Sequence, residues 1–264
     1  MKIALIPNLE KSGAKEITAK VDSLLKSLNF EVFLPRDDEN LYENCDIIIT
    51  VGGDGTLIKH AKYAAIHNKP IVGINAGRLG YLADVDRDEI ANLKKLTTGE
   101  YTIDSRIMLS VSIEKDTETI FSGLALNDIV IGNGEIAKIS DINLNILGDD
   151  ISYRADGIIL STPTGSTAYS MSAGGPIIEP TTRCFIVTPI CSHSMTARPL
   201  IVGQENVINL SVSESTKNAY LTVDGNQSIP IDSKTKITVK KSDFEAKFIN
   251  LSGRTFYKTL SYKF

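Results

Sequence analysis

Ile47-Ile48-Ile49-Thr50-Val51-Gly52-Gly53-Asp54-Gly55-Thr56 is the stretch on which the fold turns. Its unbroken β-branched run reads as a strand buried on both faces, the kind that parallel sheets contain. Glycines at its C-terminal end admit positive φ and let a ligand approach without a Cβ in the way. A helix starting directly behind them would aim free N–H groups and its positive dipole end at the same spot, where phosphate binds well. Asp54 runs against that logic, because a carboxylate repels phosphate. Its use there is as a general base beside a hydroxyl that receives a phosphoryl group. Asp-Gly is also a common turn dipeptide, but a turn explains Asp54-Gly55 alone and not the whole Gly-Gly-Asp-Gly-Thr. Gly52, Gly53 and Thr56 therefore read as a phosphate loop and Asp54 as its catalytic residue.

Working outward, Lys2 to Pro7 reads as a first strand. Ile17, Val21, Leu24, Leu25 and Leu28 then fall at helical spacing from Ala14, with Ser12 in the N-cap region. Phe30 to Leu34 gives a second strand and Asp46 to Val51 the third; Leu57 to Asn68 is helical, and Pro70 to Ile74 makes a fourth strand. This alternation predicts βαβ units on a parallel sheet, whose ligands sit at the C-terminal strand ends, where Asp54 lies. Asn75-Ala76-Gly77-Arg78-Leu79-Gly80 follows at the same edge, as a second phosphate-side loop or a plain turn. Asp86 to Thr97 reads as a last helix.

After about Ile103 the pattern changes to short alternating runs, at 108–113, 139–146, 207–212, 219–223 and 236–239. That is the signature of antiparallel β structure. The expected fold is an α/β N-terminal domain with a parallel sheet over 1–102, plus an all-β, sandwich-like domain over 103–252. The closing residues 253–264 could return to the first domain.

Composition narrows the class. With 264 residues, 42% hydrophobic and 23% charged, the chain has room for two cores and the balance of a soluble protein. A net charge of −4 argues against a nucleic-acid binder. No apolar run approaches the roughly 20 residues a bilayer requires, and Met1 to Pro7 is too short for a signal peptide. Cys45, Cys184 and Cys191 form neither a disulfide framework nor a zinc pattern. A cytoplasmic protein is the expectation.

The second half has one non-β island, Ser161-Thr162-Pro163-Thr164-Gly165-Ser166-Thr167-Ala168-Tyr169-Ser170-Met171-Ser172, after Asp156-Gly157. Its hydroxyls could hydrogen-bond a ribose or base, and Tyr169 could stack on a ring; the plainer reading is a solvated Ser/Thr loop. Asn127-Asp128 is a polar pair inside an apolar run, costly to bury unless satisfied. A turn accounts for Asp128, and a diol or amide ligand for both. Asp224-Gly225-Asn226 is a turn or part of a site. His60 and His67 share a helix face but stand too far apart to ligate one metal, so no metal site is expected. No Walker A, G-x-G-x-x-G or G-x-S-x-G sequence is present.

Taken together, Gly52-Gly53-Asp54-Gly55-Thr56, Gly77-Arg78-Leu79-Gly80, Asn127-Asp128, Arg154-Ala155-Asp156-Gly157, Ser161 to Tyr169 and Thr188-Pro189-Ile190-Cys191 occur in the order of the NAD kinase family, which the chain resembles. The GGDGT element alone is shared with diacylglycerol and sphingoid kinases and phosphofructokinases; the STPTGSTAY stretch is far more specific. The resemblance implies transfer of the γ-phosphoryl group of ATP, or of polyphosphate, to the 2′-hydroxyl of the adenosine ribose of NAD. Asp54 would be the base, with NAD lying between the domains. Gly55, Lys59, Asn127, Asp128, Lys138, Arg154, Asp156, Thr164, Thr167, Ala168, Tyr169, Ser170, Ser172, Asp224 and Asn226 would line the dinucleotide. Asn226 and Gln227 compete for a glutamine position of the family. Magnesium, or another divalent cation, would come with ATP, without a prosthetic group. The family implies a homodimer or homotetramer, and neither nucleic acid nor membrane as partner. Two other readings stay open: a non-catalytic dinucleotide sensor, and a lipid kinase sharing the glycine loop, though no basic amphipathic helix suits the latter.

Overall fold

The computed structural model describes residues 1–34, 41–77, 80–134 and 138–263, the side chain of Gln227 left aside. The chain divides into two compact units, Met1–Arg106 with Phe244–Phe264, and Ile107–Asp243. In the first, β1 (Lys2–Pro7), α1 (Ala14–Ser27), β2 (Glu31–Phe33), β3 (Ile47–Gly52), α2 (Asp54–Ile66) and β4 (Pro70–Asn75) alternate. The strands are parallel in the order β2-β1-β3-β4, with Ile49 opposite Leu5 on one side and Val72 on the other. Ile3, Leu5, Ile47, Ile49, Val72 and Ile74 pack with Ile17, Val21 and Leu25 of α1 in one cluster. On the opposite face α2 comes so close that a Cβ on Gly73 would stand 2.9 Å from Leu57 Cδ2. Helices on both faces explain why 47–51 has no polar alternation. Each fully buried Ile or Leu stabilises by roughly 1.5–3 kcal/mol.

Two local expectations give way. α1 begins after Gly13, at φ 80°, with no side-chain cap, so Ser12 does not hold the N-terminus. The helix expected over 86–97 is instead β5 (Val85–Asp86), a 3-10 turn at Ile90–Lys94 and one α turn, α3 (Lys95–Thr98). Tertiary bonds override helical geometry there: Asp86 pairs beside Asn75 of β4, and Arg254 binds Asp86 at 3.3 Å and Glu89 at 2.9 Å.

β6 (Thr102–Lys115) carries the chain into the second unit, which is nearly all β. It continues with β7 (Glu118–Ala125), β8 (Asp128–Asn133), β9 (Ser140–Ile146), β10 (Asp149–Ala155), β11 (Gly157–Ser161), one helical turn α4 (Tyr169–Ser172), β12 (Cys184–Ile190) and β13 (Leu200–Gly203). β14 (Ile208–Val212), β15 (Ala219–Val223), β16 (Gln227–Ile231) and β17 (Thr235–Asn250) follow. One antiparallel sheet runs β13-β12-β11-β8-β15-β16, and β10-β9-β14-β17 form another antiparallel set. Ile129, Ile158, Phe185 and Leu221 of the former share a cluster with Ile142, Leu144, Leu210 and Ile237 of the latter, a sandwich core.

The chain then rejoins the first unit, where Lys247 of β17 pairs with Pro70 of β4, in parallel. Asp84 accepts from the Leu251 and Ser252 N–H groups at 2.6 and 3.1 Å, and Lys95 donates to the Leu251 carbonyl. α5 (Phe256–Ser261), capped by Thr255, follows. Among the described residues no helix is long and apolar enough to cross a membrane.

Candidate active site

In the first unit β3 hands over to α2 with one residue between them, so Asp54 sits in the first helical turn rather than in a loop before it. Gly52 cannot carry a side chain, since a Cβ would stand 2.5 Å from Thr56 Oγ1. That hydroxyl accepts from Asn8 Nδ2 at 3.2 Å, tying the strand end to the β1–α1 turn. Gly55 faces open space, and Lys59 is exposed further along α2. The Asp54 carboxylate is held by successive backbone amides: Tyr81 N–H donates to Oδ2 at 2.7 Å, Leu82 and Ala83 N–H to Oδ1 at 3.3 and 3.2 Å. Gly80 passes so near that a Cβ would overlap the Asp54 carboxylate. Gly77 donates its N–H to Asn75 Oδ1 at 3.0 Å; Arg78 and Leu79 lie outside the described residues.

In the second unit a cavity of about 310 Å³ is lined by Val130, Gly132 and Asn133 of β8, by Lys138, Asp156, Tyr169 and Ile190, and by Tyr220 and Thr222. It brings together Lys138, Asp156 and Tyr169 from the expected set. Tyr220 and Thr222 are additions. Their signal was available, because the alternation of Tyr220-Leu221-Thr222-Val223 sends 221 and 223 into the core and 220 and 222 to the other face. Burial pushes the Tyr169 phenol up, with smaller contributions from Tyr220, Cys191, Asp128 and Asp156, so it stays a neutral donor and acceptor.

Asn127 and Asp128 start β8, and Asp224 fixes them. At φ 48°, Asp224 accepts from the N–H groups of Leu126 (2.9 Å), Asn127 (2.8 Å) and Asp128 (3.1 Å), and returns its own N–H to the Asp128 carbonyl at 2.9 Å. Burial, then the Asp224 charge, pushes the Asp128 carboxyl up to about 7. Asn127 Oδ1 is buried with no hydrogen-bond partner among the described residues, a state that costs roughly 1–3 kcal/mol until an N–H reaches it. Asn226 is exposed and donates back to the Asp224 carbonyl at 2.9 Å.

The hydroxyl-rich island serves largely as scaffold for that turn. Thr162 Oγ1 donates to the Leu126 carbonyl at 2.6 Å and Ser161 Oγ to that of Asn127 at 3.2 Å. A Cβ on Gly165 would strike the Asn127 carbonyl. Thr164 and Ser170 are buried, Ser170 bonded to Thr188 at 2.9 Å; Thr167 and Ala168 are half-buried, while Tyr169 and Ser172 are exposed. Arg154 lies apart from the cavity lining and pairs with Asp141 at 3.1 Å. His60 and His67 both contact Tyr42, whose Oη lies 2.7 Å from His60 Nδ1. Among the described residues no His/Cys/Asp/Glu cluster suits a resident metal.

Known proteins align with this arrangement along its length. The family model described as ATP-NAD kinase N-terminal domain matches residues 35–101, and that of the ATP-NAD kinase C-terminal domain matches 126–251. A protein named NAD kinase from Natranaerobius thermophilus is 36% identical, covering 99% of this chain and 96% of its own length. Its namesake in Carboxydothermus hydrogenoformans is 41% identical over 84% of this chain and 80% of its own. Among solved structures, an NAD kinase from Archaeoglobus fulgidus in complex with ATP superposes with TM-score 0.80 at 31% identity, covering 99% of each chain. Yeast NADH kinase complexed with NADH, at 23% identity, shares the fold with TM-score 0.85 over 99% of this chain and 85% of its own.

Proposed function

The chain belongs to the NAD kinase family and phosphorylates NAD to NADP, and from that premise we propose that Asp54 is the general base of the transfer. The observation that carries the assignment is the amide-held carboxylate at the glycine-rich strand end. Three accepted N–H bonds leave about one of the carboxylate's four lone-pair positions, on Oδ2, for a substrate hydroxyl. The amides fix its direction, and it takes the proton as the ribose 2′-oxygen attacks the γ-phosphoryl group of ATP. Gly55 leaves room for that group at the start of α2, whose amide dipoles offset developing charge.

Asn127, Asp128, Asp156, Lys138 and Tyr169 hold the dinucleotide in this reading. Asn127 Oδ1 suits an amide or amino N–H, Asp128 can donate as well as accept near neutrality, and Tyr169 and Tyr220 offer faces to a ring. A divalent cation, magnesium or another, would arrive with the triphosphate and would offset charge on its oxygens. The reading takes the chain as a cytoplasmic homodimer or homotetramer, which light scattering after gel filtration measures directly.

A coupled assay with an NADP-specific dehydrogenase tests the assignment. Wild type with NAD and magnesium ATP should yield NADP, while Asp54→Asn should keep its fold and NAD affinity and lose roughly 10²–10⁴ in turnover. Near-normal turnover in the variant removes Asp54 from the role.

A further inference from the structure

The glycine loop contains no lysine, although phosphoryl transfer places several negative oxygens over it and Asp54 adds another charge. A lysine from elsewhere in the first unit stands beside the loop. Lys11, in the β1–α1 connection, lays its Nζ against Gly53, where a Cβ on that glycine would collide with the ammonium. This is a built position. Asn8 donates its N–H to the Val51 carbonyl at 2.8 Å and its Nδ2 to Thr56 Oγ1, clamping the turn to both sides of the loop. Lys11 N–H then donates to the Asn8 carbonyl at 3.1 Å, and the Lys11 carbonyl accepts from Ala14 N–H at 3.1 Å. The backbone of Lys11 is thereby fixed at the C-terminal ends of β1 and β3. Its ammonium makes no hydrogen bond or ion pair with any described residue. On the neighbouring helix, Lys20 is paired with Glu16 and Lys26 with Asp22.

We propose that Lys11 binds the phosphoryl groups of the donor, supplying from the β1–α1 turn the cation that the glycine loop lacks. It rests on the reading of that loop as the transfer site. A compact ammonium can follow the moving phosphoryl oxygens from one bond to the next, and a donor of any phosphate chemistry, nucleotide or polyphosphate, meets the same charge. The residue is exposed, so its replacement leaves the core untouched.

Lys11→Met and Lys11→Arg test it, with turnover and binding read separately. Lys11→Met should lower kcat/KM for ATP roughly 10- to 100-fold, the size of one charge-assisted contact, with KM for NAD and the melting temperature unchanged. Lys11→Arg should recover most of the loss. Calorimetry with the non-hydrolysable adenylyl imidodiphosphate and magnesium should show binding weakened about tenfold or more in Lys11→Met. Unchanged kcat/KM for ATP together with unchanged analogue affinity overturns the assignment. Should wild type make no NADP, the transfer reading fails by itself, and the analogue titration still decides for or against Lys11.

Discussion

The carboxylate of Asp54 occupies the space that a side chain on Gly80 would need, so the two residues exclude one another. The next amides, of Tyr81, Leu82 and Ala83, are aimed at that carboxylate because the chain can pass close to it. Gly80→Ala should therefore displace either Asp54 or its amide cradle. A stability loss of about 1–3 kcal/mol in urea, typical of overpacking, should accompany a larger fall in kcat than in NAD affinity. A fully active Gly80→Ala would show that the cradle does not set the base.

Asp224 satisfies backbone N–H groups nearly a hundred residues upstream, and its charge is spent on them. Asp224→Ala should cost about 2–4 kcal/mol by stranding those donors, and should raise KM for NAD more than it lowers kcat. Asp224→Asn, which keeps one acceptor oxygen, should lie between. Equal stability of Asp224→Ala and wild type in urea would contradict this.

Asp128 gives a pH signature. Its carboxyl moves from an ordinary 3.8 to about 7 in the folded chain. Between those values the native state keeps a proton that the unfolded state has released, so stability falls as pH rises from about 4 to about 7. The contribution is fully present below 3.8 and gone above 7, on the order of 4 kcal/mol in all. Urea unfolding of wild type and Asp128→Asn across that window should show wild type losing ground steadily with rising pH. A constant difference would remove Asp128 as the cause.

Much of this was legible in the sequence because it is local. The β-branched run into Gly52-Gly53-Asp54 located the junction of strand and helix, and the short β runs located β6, β9, β14, β15 and β17, while β8, β11 and β12, buried without alternation, were not named as strands. What escaped is tertiary. Gly80 read as part of a phosphate-side loop or a plain turn, and nothing local showed that it clears space for the Asp54 carboxylate. Asp224 read as a turn or part of a site, and nothing local showed that its carboxylate accepts from Leu126 to Asp128 across the fold. The hydroxyl-rich island read as a ligand segment or a solvated loop, and nothing local showed that Thr164 and Ser170 are buried. The helix expected at 86–97 failed because its spacing is decided by Arg254, which no local pattern reveals. Lys11 carried no motif at all; only the latch through Asn8 brings it to Gly53.

The first unit's core takes Ile249 and Leu251 from the far end of the chain, while the second unit is one continuous stretch. A ribosome building this protein makes every residue of Ile107–Asp243 before it makes the end of β17, from Phe244 on, that closes the earlier unit. At ordinary elongation speeds that delay is on the order of ten seconds. The half begun first is finished last, and until then Pro70 and Ile71 of β4 lack the partners that β17 gives them, and the apolar cluster lacks Ile249 and Leu251. That is the interval in which the nascent chain is most exposed to misassociation, and in which a chaperone would find it.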